Sequence, residues 1–525
     1  MNAINTVSSK VISALLAIAA VPMALFMGRA VAQGNFKMVA LVFAVGVLFI
    51  LVFGMANWLW ILAVASIFIP GQITILPLPL RPSELLLCLV IARFFVDNII
   101  FRKQWFRIGP SPDWIFLGGL VAVLLVHAYN DRFAMRFFGS DIWGGRQYVA
   151  ILVSVLAYSV VQSTNLDAKL FRWLPTVALL FGAFDFFMMA VTQLVPGSAQ
   201  LLWNIYTGVS LSDTSNAMAS RWGFMGNFGY LVLYWSLSDC RINEFVSKGK
   251  FIKGAAFLLG IAMCVASGYR SSVAVAAAIV IVAAFRDFGV RGIFGLFPLV
   301  LGLALIMVLQ TVGVPIPKQV QRGLTFLPGG WDADVVLDAG GSMDFRGEIW
   351  DMWKETQFPQ HPILGRGFGL SSDQMMATQP FTTVMDIGAS ISYARNEAFV
   401  ISGNIHNGFY SVIDRFGIIG LIFFTLWTSV VLWRICGYLV KSRNKPLNPA
   451  LNWLALYIVP YTLGFWPGAL KVEQFLVPQL FLVGLFWALL RMEKEAKERP
   501  REISPETVPN LIDPPAQRPL ASLHR

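Results

Sequence analysis

The chain has 525 residues, 57% of them hydrophobic and only 13% charged, with a mean hydropathy of +0.66. Soluble chains carry about 25% charged residues, so an array of soluble domains is excluded. The net charge of +11 lies in short connections between apolar runs rather than on one basic face interleaved with aromatics, which argues against a nucleic-acid partner.

Runs of about 20 apolar residues can cross a bilayer, and in lipid they have to pair their backbone groups internally as helices. No alternating pattern of a barrel is present. The predicted fold class is therefore an all-α polytopic membrane protein of about 12–14 transmembrane helices with one large extracytoplasmic loop. In chain order the spans are expected near 11–27, 38–54, 57–70, 83–100, 113–129, 147–162, 173–195, 222–238, 251–267, 271–285, 291–310, 407–433, 451–466 and 470–490. The N-terminus resembles a signal peptide but reads as a first span, because no small-residue cleavage site leads into a soluble domain. This divides the chain into an N-terminal transmembrane bundle (1–310), the long loop (311–405), C-terminal transmembrane helices (406–490) and a tail (491–525). The tail is charged and then Pro-rich, a composition expected to be disordered.

Basic connections fix the sides. FRKQWFR (Phe101–Arg107), Arg241–Lys253, Arg286–Arg291 and Arg434–Lys445 alternate with less basic connections. Assigning them to the cytoplasm puts both termini inside and the long loop outside. The four cysteines lie in or beside apolar runs and form no disulfide or zinc pattern. No HExxH motif, paired-carboxylate spacing or Walker-type loop is present, so neither a metal nor a cofactor is expected. Asp332, Asp334, Asp338 and Asp344 read as solvated loop acids.

Ionisable residues near a membrane are costly and mark candidate sites, with snorkelling as the bland alternative; Lys10, Arg93, Arg434 and Lys471 fit the latter. His127, Arg146 and Arg221 lie at outer span ends, and Asp185 lies within a span and needs a polar partner. Arg270, in the turn GYRSS, sits at the tip of a tight outer hairpin, where an interfacial anchor and an anion site are both open readings. Ser271 and Ser272 are expected to cap the returning helix. In the loop, MDFRGEIWDMWKETQF has helical spacing, with Phe345, Ile349, Met352 and Trp353 on one stripe. An amphipathic helix near 344–358 is predicted on the outer surface, with Trp350 and Trp353 at headgroup level and Arg346 in its first turn. A cation there opposes the helix dipole, which favours a functional reading.

HPILGRGFG follows (His361–Gly369), a turn or a nest of N–H groups around Arg366. HNGFYSVIDRFGIIG then opens the next span at His406 and Asn407. A lone His is usually structural, and by position alone that reading stands ahead of a catalytic one. Asp414 and Arg415 are expected to pair or to face the bundle interior, and Gly417 and Gly420 to allow close helix packing.

Taken in order, GYRSS, FRGEIW, HPILGRGFG and HN followed after nine residues by GxxG resemble the O-antigen ligase and Wzy-type polysaccharide polymerase superfamily, over roughly Phe251 to Leu432. The resemblance implies a metal-independent, GT-C-like glycosyltransferase of the bacterial inner membrane. It would move a glycan from an undecaprenyl-diphosphate donor to a sugar hydroxyl on lipid A–core or on another lipid-linked glycan. By motif position, Arg270 and Arg346 would hold the diphosphate and His406 would be the base, with Asn407, Arg146, Arg221, Arg366 and Asp414 as supporting candidates. The ligase-type spacing after His406 is present without a gap, whereas 325–342 and 371–404 have no counterpart in the motif set. Two other classes fit the composition. A secondary transporter or flippase of lipid-linked sugars would use midplane charges such as Asp185 and Asp414. A structural scaffold would have no cavity.

Overall fold

An apolar run has one way to satisfy its backbone in lipid, and the computed structural model shows it throughout: the chain is an all-α polytopic membrane protein. Residues 28, 32, 46, 56–71, 81–101, 112–135, 139–164, 166–195, 197–198, 221–247, 249–378, 389–468 and 470–498 are described. The described helices begin with α1 (Ala56–Ala65), α2 (Pro82–Phe101), α3 (Pro112–Asn130), α4 (Gly145–Ser163), α5 (Ala168–Phe171), α6 (Leu174–Leu194), α7 (Gly223–Ser238), α8 (Phe251–Ala266) and α9 (Arg270–Phe288). They continue with α10 (Phe297–Thr311), α11 (Lys318–Leu324), α12 (Ala333–Thr356), α13 (Ser372–Thr378), α14 (Ala389–Ile401), α15 (Gly408–Lys441), α16 (Pro449–Phe465) and α17 (Val472–Glu498).

Every predicted span from 57–70 onward meets a helix at its place, and the spans near 11–27 and 38–54 lie outside the described residues. Among the described residues five helices, α3, α6, α9, α15 and α17, are long and apolar enough to cross a membrane, and α8 and parts of α1 and α10 are shorter apolar helices. The middle of the bundle is α16, buried along most of its length and packed on α7, α9, α15 and α17. Close approach there uses glycine. A Cβ on Gly229 of α7 would stand 2.9 Å from the carbonyl of Gly260 on α8, and one on Gly484 of α17 would stand 3.0 Å from the carbonyl of Tyr158 on α4.

The long loop is largely helical. The predicted amphipathic helix is real but starts eleven residues earlier, at Ala333 rather than 344, with Asp332 at its N-cap position. Its apolar stripe does not lie on a membrane surface. Ile349 and Trp353 are buried against Val400, Ile405 and Ile413, with Phe345 and Met352 at the margin. Both indoles are committed inside the protein: Trp350 donates from Nε1 to the Ile405 carbonyl (2.8 Å) and Trp353 to Asp414 Oδ1 (2.9 Å). At the other end of the chain α17 runs on to Glu498, where the sequence places the start of a disordered tail. Pairs four residues apart, Arg491 with Glu495 and Lys497 with Glu493, support that extra length.

The glycines of HPILGRGFG and of the following span have one joint purpose. Gly417 interrupts α15 with φ 66° and ψ −169°, and the helix resumes beyond it. The turn plugs into this break. Arg366 N donates to the Asp414 carbonyl (2.9 Å) and Gly367 N to that of Arg415 (3.2 Å), while Ile418 N and Ile419 N donate back to Pro362 O (3.0 Å) and Ile363 O (3.1 Å). With those N–H groups spent, the turn is not a nest for phosphate. A Cβ on Gly417 would fall 2.2 Å from the Ile363 carbonyl oxygen, in a backbone region that side chains rarely adopt. Gly417→Ala is expected to cost about 3 kcal/mol from strain and overlap, read as a clear fall in melting temperature of the detergent-solubilised protein. An unchanged melting temperature would contradict the docking role.

Candidate active site

Two hairpins and one loop helix bring the charges together. Between α8 and α9, Gly268 turns the chain at φ 76°, and Trp222 N donates to Ser267 O (3.1 Å) to hold the turn against the start of α7. Arg270 is the first residue of α9, and its side chain donates to the Ala339 carbonyl on α12. The capping expectation for Ser271 and Ser272 is not met: Tyr269 is the N-cap, without a side-chain bond. Its own N–H instead uses Ser267 Oγ (3.3 Å).

Arg322 on α11 is almost fully buried. It donates to the Gly268 carbonyl at 2.9 Å and pairs with Asp338 of α12, so one side chain ties the hairpin tip to both loop helices. Asp338 also receives Arg221 at 3.1 Å. This acid is therefore no solvated loop residue. Burial works against its charge, but the hydrogen bond and charge of Arg322, followed by those of Arg221, hold its carboxyl below the usual range. Asp332 likewise faces Gln321, whose amide donates to it at 3.1 Å.

Arg346 lies two turns beyond Asp338 on α12. Because α12 begins at Ala333, Arg346 sits in its second half, and the dipole argument made from a helix starting near 344 does not apply. What distinguishes Arg346 is its surroundings. It is half-buried, and among the described residues it makes no ion pair. Burial first, then the positive charges of Arg221 and Arg322, work against its charged form. Arg270 lies within electrostatic reach of Arg322, Arg346 and Asp338. Four guanidinium groups thus share one carboxylate, an arrangement that an incoming anion would stabilise.

His406 meets this cluster from the end of the loop. Its ring packs against Phe399 (5.4 Å between centroids) and Phe345 (6.1 Å), the residue before Arg346. Burial lowers its pKa to about 4, with the charges of Arg346 and Lys471 adding to the effect. The imidazole is therefore neutral at physiological pH, as a proton acceptor has to be. Its backbone is in the left-handed region, with φ 53°. A non-glycine residue there stores about 1–2 kcal/mol of strain. Asn407, immediately after it, is the N-cap of α15, its side chain accepting from Tyr410 N (3.3 Å), so its role is structural.

The remaining candidates separate. Arg221 belongs to the cluster through Asp338 and Arg346. Arg366 does not: it grips Asp414 through Nε and Nη2 at 3.0 Å and donates to the Val400 carbonyl at 2.8 Å. Asp414 is fully buried, with Arg415 as its second cation at 3.4 Å. It is thus occupied structurally rather than free for transport or catalysis. Arg146 pairs with Glu84 at 2.6 Å, away from the arginine cluster. His127 donates from Nε2 to the Leu364 carbonyl (2.7 Å) and braces the glycine turn.

Sequence reasoning missed Arg322 and Lys471. Arg322 stands in an unremarkable short polar segment, and its value comes only from the folded loop. Lys471 was assigned to snorkelling, yet it is largely buried beside His406, with Nζ 3.4 Å from the Ser402 carbonyl. The one signal for it was its place at the start of a span on the same side as His406.

The His406 pKa carries a stability consequence. Its folded value of about 4 lies below the ordinary 6.5, so between them the unfolded chain binds more protons. Stability contributed by the neutral ring is fully present above the ordinary value and declines as pH falls towards the folded one. His406→Gln should flatten that part of the pH dependence of thermal unfolding. An identical slope in the variant would contradict a buried neutral imidazole.

No curated protein matches the chain. Residues 255–425, which contain Arg270, Arg322, Asp338, Arg346 and His406, match the family model described as O-antigen ligase. This third of the chain is thus similar to O-antigen ligases, within what is a multi-pass membrane protein.

Proposed function

We propose that the chain is a bacterial inner-membrane glycosyltransferase that moves a glycan from undecaprenyl diphosphate to a sugar hydroxyl at the periplasmic face, as an O-antigen ligase or a polysaccharide polymerase. The observation that carries this reading is the electrostatic linkage of Arg270, Arg346 and a neutral His406 within the segment that matches the family model. The acceptor is the hydroxyl of lipid A–core or of another lipid-linked glycan. On this reading both termini are cytoplasmic and the loop carrying α11 to α14 is periplasmic.

The chemistry follows from the charges. The acceptor oxygen attacks the anomeric carbon and forms the new glycosidic bond while the bond from that carbon to the diphosphate breaks. The acceptor's proton passes to the neutral imidazole of His406. Negative charge grows on the departing diphosphate, and preorganised guanidinium groups lower the barrier by meeting it. Arg270 and Arg346 supply them, with Arg221 adding to the field and Arg322 holding the framework. The role needs no metal, since the arginines themselves carry the compensating charge.

Donor binding also prepares the base. An imidazole with a pKa of about 4 is a weak acceptor of protons. The charge of Arg346 contributes to that depression, and a diphosphate beside Arg346 offsets it. His406 then gains basicity only when the donor is in place, which disfavours protonation of an empty site.

Complementation of a strain lacking the chain tests the proposal. His406→Ala and Arg346→Ala are each expected to reduce polymer transfer by about 10²–10³-fold with normal membrane levels. Arg346→Lys should recover part of it, because the charge stays and the fork is lost. Loss of lipid A-linked polymer with unchanged chain length identifies a ligase, and accumulation of single repeat units identifies a polymerase. Full activity in His406→Ala would sink the reading.

A further inference from the structure

A cavity of about 550 Å³ opens among α1, α2, α4, α16 and α17, at the ends of these helices that carry Arg81, Arg146, Tyr461 and Lys471. Its volume is in the range that small ligands occupy. It adjoins the candidate active site through one residue, since Lys471 lines the cavity and its charge acts on His406. The cluster of Arg270 and Arg346 contributes no lining residue.

The polar groups of this cavity are of both kinds and are not satisfied. Arg81 Nε, Gln147 Oε1 and Glu473 Oε2 are buried and have no hydrogen-bond partner among the described residues. The first can only donate, and the other two are acceptors. A phosphate, which offers acceptors alone, would satisfy Arg81 and leave Gln147 and Glu473 unmet. An acyl chain would leave all three unmet. A polyol serves all of them, because each hydroxyl both donates and accepts.

Two further features fit a sugar. Tyr457 and Tyr461 line the wall as part of a stacked series, with centroids 5.2 Å apart and Phe475 a further 5.5 Å beyond Tyr461. The stack takes up both faces of Tyr461, so what this wall can offer a ligand is ring edges and phenolic hydroxyls, which donate and accept as a sugar hydroxyl does. The charges are also closer to balance than around Arg346: Arg81, Arg146 and Lys471 line the cavity with Glu84 and Glu473, and Glu84 accepts from the Arg146 guanidinium at 2.6 Å and from the Arg81 backbone N–H at 3.0 Å.

We propose that this cavity is the subsite for the acceptor saccharide, holding it by Arg81, Gln147 and Glu473 so that one hydroxyl reaches His406 past Lys471. The assignment rests on the glycosyltransferase reading for the identity of the sugar as an acceptor, but binding can be measured apart from transfer.

The probe is the set of oligosaccharide fragments released from the host's own envelope glycan, prepared with and without the reducing-end phosphate. Saturation-transfer difference NMR on the full chain in detergent reads their binding. Wild type should bind the phosphate-free fragments, and Gln147→Ala and Glu473→Gln should each weaken them about tenfold. Ala150→Phe, which fills the cavity from another wall residue, should abolish binding and covers the case in which a polar variant fails to fold. His406→Ala should bind as wild type does. No binding by wild type, or binding unaffected by the cavity variants, overturns the subsite. Preference for the phosphorylated fragments would assign the cavity to the donor and also overturn it. If binding behaves as expected while His406→Ala retains full transfer in cells, the subsite stands and the proposed catalytic role falls.

Discussion

The buried carboxylate of Asp414 is the constraint on which the arrangement of the site depends. A lone carboxylate at the head of a membrane helix costs several kcal/mol unless it is paired and hydrogen-bonded. Here it takes the fork of Arg366, a second cation from Arg415 and the indole N–H of Trp353. Each partner comes from a different piece of chain: the glycine turn, the head of α15 and the loop helix α12. Arg415 then reaches the Gly367 and Ser402 carbonyls, and Arg366 the Val400 carbonyl, which closes the network on the segment just before His406. Removing either charge type would leave the other buried and unpaired, so the group acts as one unit.

That unit explains why glycines surround it. Arg415 lies against Gly403, where a Cβ would stand 1.9 Å from its Nη2, and a Cβ on Gly365 would stand 2.6 Å from the α15 backbone. Side chains at these points would push the guanidinium groups off their partners. The interruption of α15 at Gly417 has the same logic, since it frees backbone groups that an intact helix would use and gives them to the turn. The rigid frame so formed fixes both ends of the segment that carries His406, and it holds that residue in a backbone region it would not otherwise adopt. Strain at one residue persists where its surroundings over-determine it.

Much of this was legible in the sequence, for reasons that differ residue by residue. Span positions followed from apolar run length, a local property, and the helices fell where expected from 57 to 490. Arg270, Arg346 and His406 were found because each breaks a local rule: charge at a hairpin tip, charge in a loop helix, a rare histidine at a span entry. The error over Trp350 and Trp353 arose because an amphipathic stripe shows that something apolar is opposite without showing whether it is lipid or protein. Arg366 and Asp414 are 48 residues apart, and Arg322 and Gly268 are 54 apart, so neither pairing has a local signature. Lys471 is hidden for a related reason, since a lysine at a span end has the same sequence whether it snorkels or faces a buried histidine.

The two kinds of polar environment on either side of His406 differ in what they leave unsatisfied. Around Arg346 the imbalance is one of charge, with four guanidinium groups and one carboxylate, so the missing partner is an anion. Around Glu473 the charges are nearly matched and the imbalance is one of hydrogen bonds, with a donor and two acceptors unpaired. A transferase that joins a charged donor to a neutral acceptor has to present these two chemistries side by side, with a base between them. A single anionic pocket would hold the donor but give the acceptor no orientation, and orientation of the attacking hydroxyl is where an enzyme gains most over solution. On the proposed reading the imidazole would serve both sides, because its proton affinity responds to the charge at Arg346 and Lys471 while its position is held by the frame around Asp414.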